Sequence, residues 1–367
     1  MELPKGSSKV PIRFLSAAFV DRATSYKFHW LLSILEILRK RNTRNILIED
    51  LAIEMVVFAW FPLTHFRLSF GVQDQLAAKI EAMNALFGPV DAFDSNELRM
   101  LIRKHKANPL VASTLDAIVR YVPYRFISPW FTNELRGIPD GKKNELLLHL
   151  SNTRFNTPAS TLYRFISKRE IELSIDWYFY LHEHLTILTG FVYWELSRYL
   201  EKNNPNVPNI TEKLIPPSAR DLTNARFYWN TYLSLVPECT CIYSAAPLTN
   251  TTLSLDHFLP WTFVGHDQIW NIIPTIRSVN SSKGDKLPAL QYFTPFAKLQ
   301  ADALRKLHQH NSSKVNKMAE DYCTLFKSSL AEIVQASDES FEMKLVDNLR
   351  PMIQIAKNMG FPSEWQY

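Results

Sequence analysis

The chain has 367 residues, which is more than one hydrophobic core usually organises, so two or three domains are expected. Hydrophobic residues make up 46% of the chain and charged residues 21%, a composition that excludes a disordered protein. The net charge of +5 indicates a mild preference for polyanions, and the sequence has no glycine-rich loop of the kind that cradles nucleotide phosphates.

Helices dominate the predicted elements of the N-terminal half. Apolar residues recur at three- and four-residue steps over 25–41, which is the pattern of a helix buried on one face. A second helix is predicted over 48–61, where Pro62 ends the pattern. The alternation over 64–70 favours a strand, and the aromatic-rich stretch 169–201 predicts one or two packed helices.

Proline and asparagine interrupt the helical pattern in the middle of the chain. The segment 203–210, NNPNVPNI, combines residues that break helices and favour turns, so a domain boundary is predicted there. Segments 239–243 and 252–258 have the composition of two short strands joined by a turn, which predicts a hairpin. Helical periodicity returns from Pro295 onward.

The segment 253–288 carries side chains that are suited to breaking a phosphodiester bond. That reaction requires a water that loses a proton near neutral pH, and positive charge near the phosphate oxygens and the leaving alkoxide. His257 can accept the proton, because the ordinary pKa of an imidazole lies close to neutral pH. Asp256 and Asn280 offer oxygen ligands to a cation. The segment therefore predicts a metal-assisted hydrolytic site.

These positions make the segment similar to the HNH, or ββα-metal, nucleases, and in particular to the nuclease domain of RNA-guided CRISPR effectors. Asn271 lies 14 residues beyond His257, and Asn280 lies 24 residues beyond Asp256. The resemblance implies that Asp256 and Asn280 bind the metal, that His257 is the general base, and that Asn271 holds the loop that carries the base. It also implies a fold class, mainly α with an embedded ββα-metal nuclease module whose helix begins near Asn280 and faces the hairpin.

A second and wider resemblance concerns the whole chain. The LYRFISKREIEL, NPNVP and DHFLPW segments resemble those of bacterial HNH proteins with a helical N-terminal region, some of them encoded near phage-defence genes. This implies a helical domain over 1–210 that binds DNA or a partner, an HNH nuclease domain over 211–294 and a C-terminal helical segment over 295–367. It also implies a role in anti-phage defence, with other defence-system proteins as partners.

Two departures from the family bear on the metal. Family members often carry CxxC pairs that bind a structural zinc, whereas here one residue separates Cys239 from Cys241, so no structural zinc is expected. The last motif position is often histidine, and here it is Asn280. A site dominated by oxygen ligands favours one Mg²⁺ or Mn²⁺ over Zn²⁺ or Ni²⁺.

Several other residues near the motif allow two interpretations of their role. Lys283 is a candidate contact for the substrate phosphate or a solvated lysine, and Arg277 is a candidate phosphate contact or part of a salt-bridge scaffold. His266 and Asp267 imitate a second catalytic pair, but they fall in a loop that the family leaves variable, so a solvent-facing loop is the favoured interpretation.

Further along the chain, the aromatic residues that follow Arg226 can stack on bases, although aromatic residues at helical spacing more often pack in a core. The three cysteines are too few for a disulfide framework and suit a reducing cytoplasm. The apolar run 55–61 is too short to span a bilayer, and the first twenty residues lack the pattern of a signal peptide. We therefore expect a cytoplasmic protein without membrane insertion.

The sequence thus predicts a metal-dependent DNA endonuclease that nicks or cuts DNA. Two alternatives remain open. One is a helical adaptor, or an effector subunit that depends on a partner, whose HNH module is inactive alone. The other is an RNA-cleaving toxin that uses the same residues.

Overall fold

A computed structural model of the chain describes residues 3–20, 23–88, 90, 94–155, 157, 160–216, 221–310 and 313–367. The chain divides into two units. Unit 1 comprises Met1–Pro205 and Ile210–Pro216, and unit 2 comprises Asn206–Asn209 and Pro217–Tyr367. The division into domains over 1–210, 211–294 and 295–367 stays a prediction, and residues 295–367 lie in unit 2.

Unit 1 consists mainly of helices and contains a small antiparallel sheet. Its helices are α1 (Ile12–Ala17), α2 (Tyr26–Lys40), α3 (Ile48–Thr64), α4 (Leu76–Phe87), α5 (Ser95–Lys104), α6 (Pro109–Ile118), α7 (Val122–Phe126), α8 (Asp140–Thr153), α9 (Ile175–Glu183) and α10 (Leu185–Asn203). Its strands are β1 (Asn45–Leu47), β2 (Tyr163–Ser167) and β3 (Glu170–Leu173). They pair in the order β1-β3-β2, and both pairs are antiparallel.

Two of the predicted helices are confirmed in unit 1, and the predicted end of the second is wrong. Helix α2 matches the segment 25–41, and α3 begins where the second helix is predicted. Pro62 lies inside α3, which continues to Thr64, so the expectation that Pro62 ends the helix is wrong. A proline there removes the hydrogen bond that its own N–H would make and crowds the carbonyl four residues earlier, but the buried apolar residues of α3 hold that turn in place.

The segment 64–70 does not form the predicted strand. At Ser69 the backbone bonds to a side chain and not to a strand: its N–H donates to Asn204 Oδ1 at 2.8 Å, and Asn204 Nδ2 donates back to the Ser69 carbonyl at 2.7 Å. Over 169–201 the two predicted helices are confirmed as α9 and α10, and strand β3 precedes them.

Unit 2 holds the ββα arrangement within a set of helices. Its helices are α11 (Thr223–Leu235), α12 (Trp261–Val264), α13 (Arg277–Lys283), α14 (Phe293–Gln309), α15 (Ser313–Phe326), α16 (Leu330–Gln335) and α17 (Asp338–Asn358). Its strands are β4 (Leu253–His257) and β5 (Ile272–Ile276). The two strands are antiparallel, with Asp256 opposite Ile273 and His257 opposite Ile272, and α13 follows β5 directly.

The strand partner of β4 differs from the predicted one. Segment 239–243 does not pair with β4; it turns back on itself, because the N–H of Cys241 donates to the Ala246 carbonyl and the N–H of Leu248 donates to the Cys239 carbonyl. The hairpin predicted between 239–243 and 252–258 is therefore wrong, and β5 provides the second strand of the ββα unit.

The C-terminal helices share a hydrophobic core with the ββα elements. Phe258, just after β4, stacks on Phe296 of α14 with ring centroids 3.9 Å apart, and the same buried cluster extends to Leu345 and Leu349 of α17. No described helix has an apolar run long enough to cross a lipid bilayer.

Candidate active site

The end of β4 and the middle of α13 line one cleft of about 380 Å³ in unit 2. The cleft contains Asp256, His257 and Asn280, three of the residues that the sequence assigns to the reaction. Asp285 lines the same cleft, although the sequence analysis did not single it out. The ββα elements therefore bring a carboxylate, an imidazole and a carboxamide to one opening, although 24 positions separate Asp256 from Asn280.

Asn280 is anchored against β4 by its amide nitrogen. Its Nδ2 donates to the Leu255 carbonyl at 2.8 Å and to Ser254 Oγ at 2.9 Å. These two bonds use both amide hydrogens and leave Oδ1 as the atom that can bind a cation. Asn280 is the fourth residue of α13, so the expected position at the start of the helix is not observed.

Lys283 lies one helical turn beyond Asn280 and contacts the end of β4. Its Nζ donates to Asp256 Oδ1 at 3.1 Å and to the His257 carbonyl at 2.6 Å. The residue is 0% exposed, so the reading as a solvated lysine is wrong. Burial lowers the pKa of Lys283, and the neighbouring Asp256 carboxylate opposes that shift. A contact between Lys283 and the substrate phosphate stays a prediction.

Tyr243 holds the second oxygen of the Asp256 carboxylate. Its hydroxyl donates to Asp256 Oδ2 at 2.9 Å, and its ring packs edge-on against Tyr292 and Trp365. Burial, with the nearby Asp256 carboxylate, raises the pKa of Tyr243 well above its ordinary value, so the phenol stays protonated and remains a donor. An ionised carboxylate has about four lone-pair sites, and each oxygen of Asp256 therefore retains acceptor capacity for a cation.

The imidazole of His257 faces a second carboxylate. Its Nε2 lies 2.7 Å from Asp267 Oδ1, and the His257 side chain is mostly buried whereas that of Asp267 is about one-third exposed. The interpretation of 266–267 as a purely solvent-facing loop is therefore wrong for Asp267. An imidazole that donates from Nε2 to a carboxylate carries its free lone pair on Nδ1.

Asn271 fastens the loop that follows His257. Its Oδ1 accepts from the Leu259 N–H at 2.8 Å, and its Nδ2 donates to the Leu259 carbonyl at 2.9 Å. The Asn271 carbonyl also accepts from the Phe258 N–H at 2.8 Å. These bonds join the two ends of the loop between β4 and β5, and Asn271 itself is fully buried.

Helices α14 and α15 also bond to the end of the loop between β4 and β5. Gln300 of α14 donates from Nε2 to the carbonyls of Trp270 and Ile272 at 3.1 and 3.0 Å. Asp321 of α15 accepts from the Ile269 N–H at 2.8 Å. Residues 295–367 therefore fix the loop that carries the partner of His257.

Arg277, the other cationic candidate, occupies a different position. It is the first residue of α13 and is exposed. It is not among the described residues that line the cleft, so its role as a phosphate contact stays a prediction. Arg226 of α11 lines the cleft instead.

The donor set suits a hard divalent cation. Within the described residues, no three His, Cys, Asp or Glu side chains form a metal-binding group, but the predicted set combines one carboxylate with one carboxamide. Mg²⁺ commonly takes one or two protein ligands and keeps several waters. Asp256 and Asn280 on the wall of an open cleft meet that requirement.

An antiparallel strand pair followed by a helix, with these side chains in one cleft, is a ββα arrangement. Residues 241–289 match the family model of the HNH endonucleases. The matched segment contains β4, β5 and α13. A search of curated proteins and a search of solved structures gave no match.

The sequence analysis missed Tyr243 and Asp285, and it interpreted Asp267 as part of a solvent-facing loop. Tyr243 gave no signal, because its contact with Asp256 depends on the way segment 239–248 turns back on itself. Asp267 gave a weak signal, because it is a carboxylate in the loop between His257 and Asn271, and Asn271 joins the two ends of that loop.

Proposed function

We propose that the protein is a metal-dependent endonuclease that hydrolyses DNA phosphodiester bonds, with His257 as general base. The observation that carries the proposal is the shared cleft of Asp256, His257 and Asn280, in which the histidine is held by a carboxylate. The match of 241–289 to the HNH endonucleases supports the same chemistry.

In this proposal Asp256 and Asn280 hold one Mg²⁺ or Mn²⁺. When bound, the ion supplies positive charge to the scissile phosphate and the leaving oxygen. Lys283 Nζ donates to Asp256 Oδ1 at 3.1 Å and holds that carboxylate in place. Tyr243 and the bonds of Asn280 to β4 keep the two ligands oriented toward the cleft.

His257 accepts the proton of the attacking water. Because Nε2 contacts Asp267, Nδ1 is the nitrogen that takes the proton. The Asp267 carboxylate then stabilises the resulting imidazolium at 2.7 Å. Asn271 fixes the loop that follows His257, so the imidazole keeps its position from one reaction cycle to the next.

A specific observation favours a second candidate, an effector subunit that needs a partner. Lys283 and Tyr243 already contact the two oxygens of Asp256, so metal binding has to coexist with an ammonium group that repels the ion. A partner or the nucleic acid itself could shift Lys283. In that case the purified chain binds DNA without cutting it.

Incubation of purified protein with supercoiled plasmid in Mg²⁺, in Mn²⁺ and in EDTA tests the proposal. We expect metal-dependent nicking that is lost in His257→Ala. Cleavage of labelled RNA in place of DNA would support the toxin alternative, and no cleavage of either would support the partner-dependent effector. Plaque formation by phage on cells that express the wild type or His257→Ala tests the proposed role in anti-phage defence.

A further inference from the structure

Helix α11 lies outside the matched segment 241–289 and still contributes to the cleft. Leu222, just before the helix, and Arg226, one turn later, both line it. Arg226 is exposed and lines the same cleft as Asp256 and His257. A guanidinium beside a phosphodiester cleft is a suitable bidentate donor for a phosphate group.

The next residue of α11 presents an aromatic ring to solvent. Phe227 is 37% exposed, and the Nζ atom of Lys314, near the start of α15, lies 4.2 Å from the centroid of its ring. Lys314 is itself exposed. An exposed ring with a cation above it, next to a cleft-lining arginine, combines the two kinds of group that bind single-stranded nucleic acid, namely stacking surfaces and phosphate contacts.

The helix that carries these residues is firmly anchored. Tyr228 and Trp229, which follow Phe227, are fully buried, and Trp229 Nε1 donates to the Ile272 carbonyl of β5 at 3.1 Å. Arg226 and Phe227 are therefore held in a fixed position relative to the ββα elements. The expectation that the aromatic residues after Arg226 pack in a core holds for Tyr228 and Trp229 but not for Phe227.

We propose that Arg226, Phe227 and Lys314 form a binding track for the DNA strand that is cut. Arg226 binds a phosphate next to the scissile one, and Lys314 binds a phosphate further along the strand. The ring of Phe227 packs against the nucleotide between them. This inference rests on the proposed nuclease function, because it assigns the path of the substrate at the same cleft.

The experiment measures DNA binding in the full chain with His257→Ala, so that no cleavage interferes. A labelled single-stranded oligonucleotide is titrated by fluorescence anisotropy at a series of salt concentrations. Each lost phosphate contact makes the negative slope of log K against log salt shallower by about 0.7 for a single strand. We expect this change for Arg226→Gln and for Lys314→Gln, and we expect Arg226→Lys to retain the slope.

Two matched controls separate the track from general effects. Arg350→Gln removes an exposed arginine of α17 and is expected to leave the slope unchanged. Phe227→Ala is expected to weaken binding by roughly fivefold or more without a change in slope, because it removes a stacking surface. Leu235→Ala, at the end of the same helix, removes an apolar side chain of similar exposure and is expected to have no effect.

The outcomes separate this inference from the nuclease proposal. Slopes for Arg226→Gln and Lys314→Gln equal to that of Arg350→Gln would overturn the track, even if the wild type nicks plasmid normally. Reduced slopes would support the track even if the purified wild type does not nick, in which case only the nuclease proposal fails.

Discussion

The two units each bury a histidine and a lysine, and they surround these residues differently. In unit 1 the ring of His29 stacks on Phe70 and its Nδ1 contacts the Ser25 carbonyl, while Lys213 lies beside the Phe66 ring. Burial lowers the pKa of His29 to about 4 and that of Lys213 to about 7. Burial in unit 1 therefore favours the uncharged forms of both residues.

In unit 2 a carboxylate faces each of the corresponding residues. Asp267 contacts His257 and Asp256 contacts Lys283. These groups lie at or beneath an open cleft rather than in a closed core. The comparison teaches that burial of a histidine or lysine does not by itself indicate function, whereas a neighbouring carboxylate at an open cleft does favour it. The following predictions compare variants of the two units.

The largest expected effect is on catalysis by His257→Ala. General-base catalysis contributes about 10²–10⁴-fold to a rate, so plasmid nicking should fall by a factor in that range. His29→Phe is the matched control, and its nicking rate should equal that of the wild type. Equal losses in both variants would show that burial of a histidine, and not its place in the cleft, sets the effect.

The second effect concerns stability. Lys283→Met leaves the buried carboxylate of Asp256 without its cation, and breaking a buried ion pair costs about 3–5 kcal/mol. The free energy of unfolding, measured by urea denaturation, should fall by that order. Lys213→Met removes a lysine whose pKa burial lowers to about 7, so it should cost less unfolding free energy than Lys283→Met. The comparison fails if the two variants lose similar stability.

A smaller effect is expected for Asp267→Asn. Loss of the partner that orients a functional imidazole commonly costs about 10–100-fold in activity. The loss should appear in kcat with little change in KM, since Asp267 orients His257 and does not bind substrate. Asp347→Asn, an exposed carboxylate of α17, should leave both constants unchanged. An effect on KM alone would contradict the assignment of Asp267 as a positioning residue.

A last effect, confined to acidic pH, is a pH dependence of stability that comes from His29. Burial lowers the pKa of His29 from the ordinary value of 6.5 to about 4 in the folded protein. Between pH 4 and pH 6.5 the unfolded chain therefore binds a proton at His29 more readily than the folded chain does. The His29 contribution to stability is therefore full above pH 6.5 and is lost as the pH falls toward about 4. His29→Phe should flatten this part of the curve of unfolding free energy against pH. An unchanged curve would argue against a neutral buried imidazole.

Much of the helical structure could be predicted from the sequence, because amphipathic periodicity reports directly on burial. Helices α2, α9 and α10 follow from that pattern. The structure of segment 64–70 could not be predicted in this way. Its alternation of apolar and polar residues fits a strand, but it fits equally well an irregular segment in which Ser69 bonds to the Asn204 side chain.

Only part of the candidate site could be predicted from the sequence, because some of its residues are brought there by loops and not by a motif. The spacing of the motif predicts Asp256, His257 and Asn280 as site residues, and the three line one cleft. The strand partner of β4 was assigned wrongly, because short apolar segments do not specify which of two neighbours they pair with. The position of Asp267 depends on the loop between β4 and β5, which Gln300 and Asp321 hold from distant parts of the chain. The position of Tyr243 depends on the way segment 239–248 turns back on itself.

The central claim is that Asp256 and Asn280 share one divalent cation beside His257. Mn²⁺ binding to the full chain, followed by electron paramagnetic resonance, tests it most directly. We predict one bound Mn²⁺ per chain in the wild type and in His257→Ala, and its loss in Asp256→Asn and in Asn280→Ala when thermal unfolding shows that both are folded. Undiminished Mn²⁺ binding in these two folded variants would contradict the account.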